Sequence, residues 1–284
     1  MLLGVSFGLA ACMLWGLDYL FPVLLPDYGT LYISLIRVVI MGATAVAGVA
    51  VQRRYLTLVA PRDWAFATWL SLVGNLFQPW CLFTAIQLAG VPLAATFFGL
   101  TPVLVAVIAN ERDRRKGKPF LPLSRLSLPL ACILAGLLCS NWEGLSASLA
   151  APASLRDFLI GAAFAVASTL MWTWYPIRNA DWLLEHPDVD PIFFTSMQCL
   201  VLLPLGAALY AAAWLALGDM PALFGPRPLA FWGWALFMGV VCSFAATALW
   251  NAMSQRVPTA LVGQMLVFET VFSVLWGQLD ELAW

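Results

Sequence analysis

Charge is scarce in this sequence. Only 10% of its 284 residues are Asp, Glu, Lys or Arg, against roughly 25% in a soluble domain. That scarcity excludes a soluble globule and a disordered chain. A surplus of either sign is missing too: 14 basic and 15 acidic residues leave a net charge of −1 and a pI of about 5.8. No basic footprint for nucleic acid exists. Histidine occurs once, at His186. An HExxH zinc site and a histidine-rich iron or copper site are thereby excluded, and a Ser-His dyad has one candidate base. The six cysteines (Cys12, Cys81, Cys132, Cys139, Cys199, Cys242) lie in apolar runs without C-x-x-C spacing. Buried structural thiols are expected of them rather than a disulfide framework. There is no Walker A loop, so ATP is not a direct energy source, and no residue pattern calls for a cofactor.

What the chain has is apolar length. Hydrophobic residues make up 62%, and the mean hydropathy is +0.88. Apolar stretches fall at 2–24, 30–51, 64–88, 91–110, 126–142, 158–178, 191–215, 229–252 and 259–279. Most are long enough, as helices, to cross a hydrocarbon core of roughly 30 Å. The expectation is an all-α integral membrane protein of nine spans, one membrane domain over 1–284. The first stretch lacks a basic n-region, and Trp15, Gly16 and Asp18 stand where a cleavage site would follow, so it reads as a span and not a cleaved signal. Loops after even-numbered spans, with their span ends, hold eleven of the Lys and Arg residues; those after odd-numbered spans hold only Arg156 and Arg227. This bias puts the N-terminus in the cytoplasm. The run Arg112 to Lys118 reads as a topology determinant, with a lipid-head-group or partner site as its functional alternative.

An internal repeat organises the spans. Leu2, Gly4, Phe7, Ala10 and Trp15 match Leu159, Gly161, Phe164, Ala167 and Trp172 at one offset, 157. Gly4 with Gly8, and Gly161 with Ala165, put small residues on one helix face, where helices approach closely. Leu82 and Ala85 match Leu249 and Ala252 at offset 167; Leu93 and Val103 match Leu261 and Val271 at offset 168. The unit is five spans, about 2–142 and 158–284. Five is odd, so the second copy is inverted, the architecture of many secondary transporters. Duplication kept for packing alone is the alternative.

These residues also resemble a known family. Gly4-x-x-Phe7-x-x-Ala10 ending in Trp15-Gly16, Leu100-Thr101-Pro102-Val103 followed by Asn110-Glu111, and Phe268-Glu269-Thr270-Val271-Phe272 resemble helices one, four and nine of EamA-type carriers in the drug/metabolite transporter superfamily. Within it, the segments Tyr175 to Trp182 and Phe224 to Pro228 resemble a bacterial inner-membrane subgroup. The resemblance implies ten helices in two inverted five-helix halves, a bacterial inner-membrane location, and export of amino acids or other small metabolites. Thr270 stands where the family has proline. Against ten helices, this sequence supplies nine, the tenth being missing.

The interruptions in the apolar runs are the candidate site. Glu269 sits mid-span, where a charge costs at least about 2.5 kcal/mol. It is read either as a proton-coupling or substrate-amine site or as a packed residue bonded to a helix backbone. Asp18 and Arg37 flank the first hairpin turn at similar depth, as a structural ion pair or a substrate site; Arg37 suits a carboxylate. Trp15 with Asp18, and Trp172 with Tyr175, are repeat-related pairs that could line two sides of a central cavity. Asn75 and Gln78 adjoin Pro79, whose missing N–H frees the Asn75 carbonyl; Pro102 does the same for Phe98. Gln264 and Asn251, and more remotely Gln198, are further polar candidates. His186 is expected to be solvated. The leading reading is a secondary carrier working by alternating access, its partners a small-molecule substrate, the lipid bilayer and protons as coupling ion, with no nucleic acid. The alternatives are a non-transporting membrane scaffold or subunit and, third, an intramembrane enzyme; an enzyme is not expected, because the spans offer too few ionisable groups.

Overall fold

The computed structural model describes residues 2–115, 152–217, 225–257, 262, 265–273 and 275–276, with isolated positions between 128 and 146. Among the described residues every regular element is helical. Helix α1 (Leu2–Leu24) contains a 3₁₀ turn at Leu17–Tyr19, and α2 is Thr30–Val51. Helix α3 runs from Pro61–Ser71 through a π-helical segment, Leu72–Phe77, into Gln78–Ala89. Helices α4 (Val91–Phe98), α5 (Thr101–Arg115) and α6 (Pro152–Glu185) follow. Helix α7 is Pro191–Leu200 and resumes after Val201 as Leu202–Leu217. Helix α8 joins Pro228–Phe237, a π-helical Met238–Ala245 and Ala246–Ser254, and α9 covers residues 265–273.

Proline starts α3, α6, α7 and α8, positions where its missing N–H costs nothing and its fixed φ suits the first turn. Asp190 caps α7 by accepting from the Ile192 N–H at 2.8 Å. Gly90, with φ +85°, ends α3. Among the described residues five helices, Leu2–Leu24, Thr30–Val51, Ser154–Glu185, Pro191–Ala216 and Pro228–Ser254, are long and apolar enough to cross a membrane. The stretch expected as one span over 91–110 is interrupted at Gly99 and Leu100, between α4 and α5. Without an N–H at Pro102 the chain tightens, and the Leu100 N–H bonds the Phe97 carbonyl at 3.0 Å. Most of 126–142, and part of 259–279, lie outside the described residues.

The distribution of polarity is that of a membrane protein. Leu215 and Leu229 are 80% and 92% exposed, whereas Arg37, Asn179, Gln198, Asn251 and Glu269 are buried. Apolar side chains facing outward suit lipid, and polar groups retreat to where other protein groups can satisfy them. Helix α6 packs along α3, α1 along α8, and α2 against α7. The small residues permit these approaches: a Cβ on Gly4 would stand 2.9 Å from Val257, and one on Gly161 2.7 Å from Ala89. Of the cysteines, Cys12, Cys81, Cys199 and Cys242 are buried as expected, but Cys132 and Cys139 are exposed.

Candidate functional site

Three of the candidate residues stand four positions before a proline: Asp18 before Pro22, Asn75 before Pro79, and Trp172 before Pro176. Each proline lacks the N–H that would bond the carbonyl four residues back. Asp18 sits in the 3₁₀ turn of α1 and Asn75 in the π segment of α3. The Asn75 carbonyl finds another donor: Arg37 Nη2. The other arm of that guanidinium, Nη1, donates to Ser243 Oγ at 2.8 Å, and Ser243 lies in the π segment of α8. Arg37 therefore bridges the two distorted helices. π segments widen a helix locally and recur at functional sites.

Around this bridge Trp15, Asp18, Arg37, Asn75, Gln78, Trp172 and Glu269 line one small cavity, with Gly74, Pro79, Leu82 and Thr247 completing its wall. The space open to a water-sized centre is about 20 Å³, enough for about one water molecule. Glu269 accepts from Trp172 Nε1 at 2.8 Å. Trp15 meets Trp172 edge-on at 4.9 Å between ring centroids, and Trp250 lies 5.1 Å from Trp15. Gln78 Nε2 donates to Ser168 Oγ at 3.0 Å, tying α3 to α6.

The site is polar but unfinished. Asp18 Oδ1 and Arg37 Nε are buried without a hydrogen-bond partner, as is the neighbouring Trp250 Nε1. A buried polar group left unpaired costs about 1–3 kcal/mol. Asp18 and Arg37 share the cavity, yet form no ion pair within 4.0 Å. Their remaining valences are complementary to an added group: Asp18 can take an ammonium or another donor, and Arg37 an acceptor.

Tyr175 departs from its expected place. It does not line the cavity but stacks behind Trp172, ring centroids 5.4 Å apart and planes 3° from parallel. Gly74 makes the room, since a Cβ there would collide with the Tyr175 ring. The Tyr175 hydroxyl donates to Gln198 Oε1 at 2.9 Å, opening a second polar network. Gln198 Nε2 donates to Asn179 Oδ1 (2.8 Å), Asn179 Nδ2 to Asn251 Oδ1 (2.7 Å), and Asn251 Nδ2 to Thr195 Oγ1 (2.8 Å). Gln198 and Asn251 thus belong to this chain and not to the cavity. Gln264 lies outside the described residues.

His186 is partly exposed rather than fully solvated. Its ring stacks on Trp182 at 4.0 Å, and its Nε2 is 3.8 Å from Asp63. Trp182 is itself buried, donating to Asp63 Oδ1 at 3.3 Å. Sequence reasoning missed Ser243, Thr247 and Gly74. A signal for Ser243 is present: it stands 168 residues after Asn75, one of the offsets of the repeat.

No protein-family model matches the chain. Over 281 residues it is 36% identical to the inner membrane protein YtfF of Escherichia coli (strain K12), a match covering 97% of this chain and 87% of that protein. The chain belongs to the YtfF family. A solved structure described only as "Crystal structure of protein" matches at a TM-score of 0.65, covering 98% of this chain and 88% of its own. At 18% identity that likeness concerns the fold alone. With the outward-facing apolar helices, membership of the YtfF family makes this chain a helical protein of the inner membrane.

Proposed function

We propose that this protein is a secondary transporter of the drug/metabolite transporter superfamily, of EamA type, that exports amino acids or other small metabolites by alternating access. The observation that carries the reading is the central cavity, where a carboxylate and a guanidinium keep unpaired valences behind a wall of Trp15 and Trp172. A site for a small zwitterion or amine needs such groups, and a scaffold gains nothing from paying their desolvation. Two further features support a duplicated carrier. The π segments begin at Leu72 and Met238 and end at Phe77 and Ala245, offsets of 166 and 168 that bracket the repeat offset of 167. The packed helix pairs α1–α8, α2–α7 and α3–α6 each join the first half to the second.

The cavity is too small for a metabolite, so this conformation is read as closed around the site. At one end Arg227 ties the halves: its Nε meets Asp27 Oδ2 at 2.8 Å, its Nη2 donates to the Leu24 carbonyl at 3.0 Å, and its N–H to the Tyr28 hydroxyl at 2.9 Å. At the other end Trp182 bonds Asp63, and deeper along α3 Ser71 Oγ donates to the Gln198 carbonyl at 2.7 Å. Alternating access requires each set to open in turn, with Glu269 as the proposed proton site. Spin labels at Pro26 and Leu229 report one end, and labels at Arg62 and Glu185 the other; all four residues are exposed. In nanodiscs, a pH step or an amino-acid panel is expected to widen one pair while the other stays closed. One narrow distance at both ends under every condition would count against a carrier and for a scaffold.

A further inference from the structure

The cytoplasmic reading of the basic run rests on charge counts, but the structure gives one of its residues a specific setting. Arg112, near the end of α5, reaches α6 and meets Asp181 at 3.1 Å. Arg178, one turn before Asp181 on α6, meets the same carboxylate at 3.6 Å. One Asp181 thus holds two guanidinium groups together, and the cluster keeps one positive charge in excess. Arg178 is steadied further by the Phe66 ring, 5.7 Å from its guanidinium carbon. Both arginines remain open, with side chains 39% and 49% exposed, while Asp181 is 19% exposed behind them.

From this pair an apolar groove of about 260 Å³ runs between α5 and α6. Its walls are Leu104 and Ile108 on one side and Leu170, Trp174 and Ile177 on the other. An apolar groove headed by two arginines that one carboxylate only half neutralises has the amphipathic pattern of one ligand class. A free anion would use the arginines and leave the groove idle; an apolar helix would use the groove and leave the charge unmatched.

We propose that the α5–α6 groove binds an anionic phospholipid, its phosphate between Arg112 and Arg178 and an acyl chain along Leu104, Ile108, Leu170 and Trp174. Asp181 pre-positions the two guanidinium groups and competes with the phosphate for them. This gives the site an unusual prediction, because removing the acid strengthens binding, whereas an ion pair kept only for packing loses order when it is broken.

Native mass spectrometry of the full chain in detergent tests this, with phosphatidylglycerol, phosphatidylcholine and inorganic phosphate as separate probes. The wild type is expected to retain phosphatidylglycerol well above phosphatidylcholine and to ignore inorganic phosphate. Asp181→Asn raises phosphatidylglycerol affinity by about five-fold, and each of Arg112→Gln and Arg178→Gln lowers it by about five-fold, the effect of one basic residue at an anionic lipid surface. Ile108→Trp, which fills the groove and leaves the charges, lowers it as well. The proposal is overturned by equal retention of the two lipids, by inorganic phosphate displacing phosphatidylglycerol, or by weaker binding in folded Asp181→Asn.

Discussion

The cavity beside Trp172 and the amide chain beside Tyr175 are both buried and both polar, yet they are satisfied to different degrees. In the amide chain every link is made: Tyr175, Gln198, Asn179, Asn251 and Thr195 each give or take a bond of 2.7–2.9 Å. In the cavity, Asp18 Oδ1 and Arg37 Nε have no partner. Closed networks rigidify a core. Open ones carry a standing cost, and such a cost persists where another group is to be bound. On the proposed function, the closed amide chain packs α6, α7 and α8 together, and the open cavity is the recognition site.

The largest effects are expected in the open region. Glu269→Gln keeps an oxygen to accept from Trp172 but cannot take up and release a proton; exchange in proteoliposomes loses its pH dependence altogether, while the melting temperature is kept. Asp18→Asn slows exchange by about 10- to 100-fold, the loss of one charge-assisted bond of about 1.5–3 kcal/mol. A pH dependence kept in Glu269→Gln, or a preserved rate in Asp18→Asn, would make the open region as structural as the closed one.

The comparison sharpens at Gly74, which separates the regions. Gly74→Ala drives a Cβ into the Tyr175 ring and should cost about 1–3 kcal/mol, as overpacking does, read as a lower melting temperature with slower exchange. In the closed region, Asn251→Leu leaves Asn179 and Thr195 without their partner; the expected loss is about 0.6–1.7 kcal/mol in thermal unfolding in detergent, with the substrate KM of the folded protein unchanged. A changed KM would move Asn251 into the site.

The smallest effect is a control outside both regions. Arg114 and Arg115 hold the exposed Glu111 carboxyl down at about 2 by hydrogen bonds and charge. Its folded value lies below the usual carboxylate range of about 4.3, so its contribution is present above that range and fades only as pH falls towards 2. Between pH 5 and 8 it stays ionised. Glu111→Gln should leave the pH profile of exchange unaltered in that window, isolating Glu269 as its source.

Much of the cavity was legible in the sequence because buried charge in an apolar run is costly and therefore conspicuous. Asp18, Arg37 and Glu269 stood out for that reason, and Asn75 because Pro79 frees its carbonyl, which the structure fills with Arg37. The repeat placed Trp15 opposite Trp172, and the two rings meet. What escaped was set by packing. Tyr175 sits behind Trp172 because a glycine on another helix leaves it space, which periodicity does not record. Ser243 is a small hydroxyl in an apolar run, ordinary until α8 widens into its π segment. The break between α4 and α5 follows from Pro102, whose consequence at Phe98 was readable but whose size depended on Gly99 and Leu100 closing a tighter turn. The acidic neighbours of His186 point to water, and it is indeed partly exposed, but Trp182 and Asp63 also hold it from other directions.

The most direct test of the account is counterflow in proteoliposomes preloaded with unlabelled amino acids, scored for uptake of each labelled counterpart. Saturable exchange of at least one solute, abolished when the unlabelled pool is omitted, is the result predicted for a carrier built on the central cavity. No exchange of any amino acid by folded, correctly reconstituted protein would contradict it.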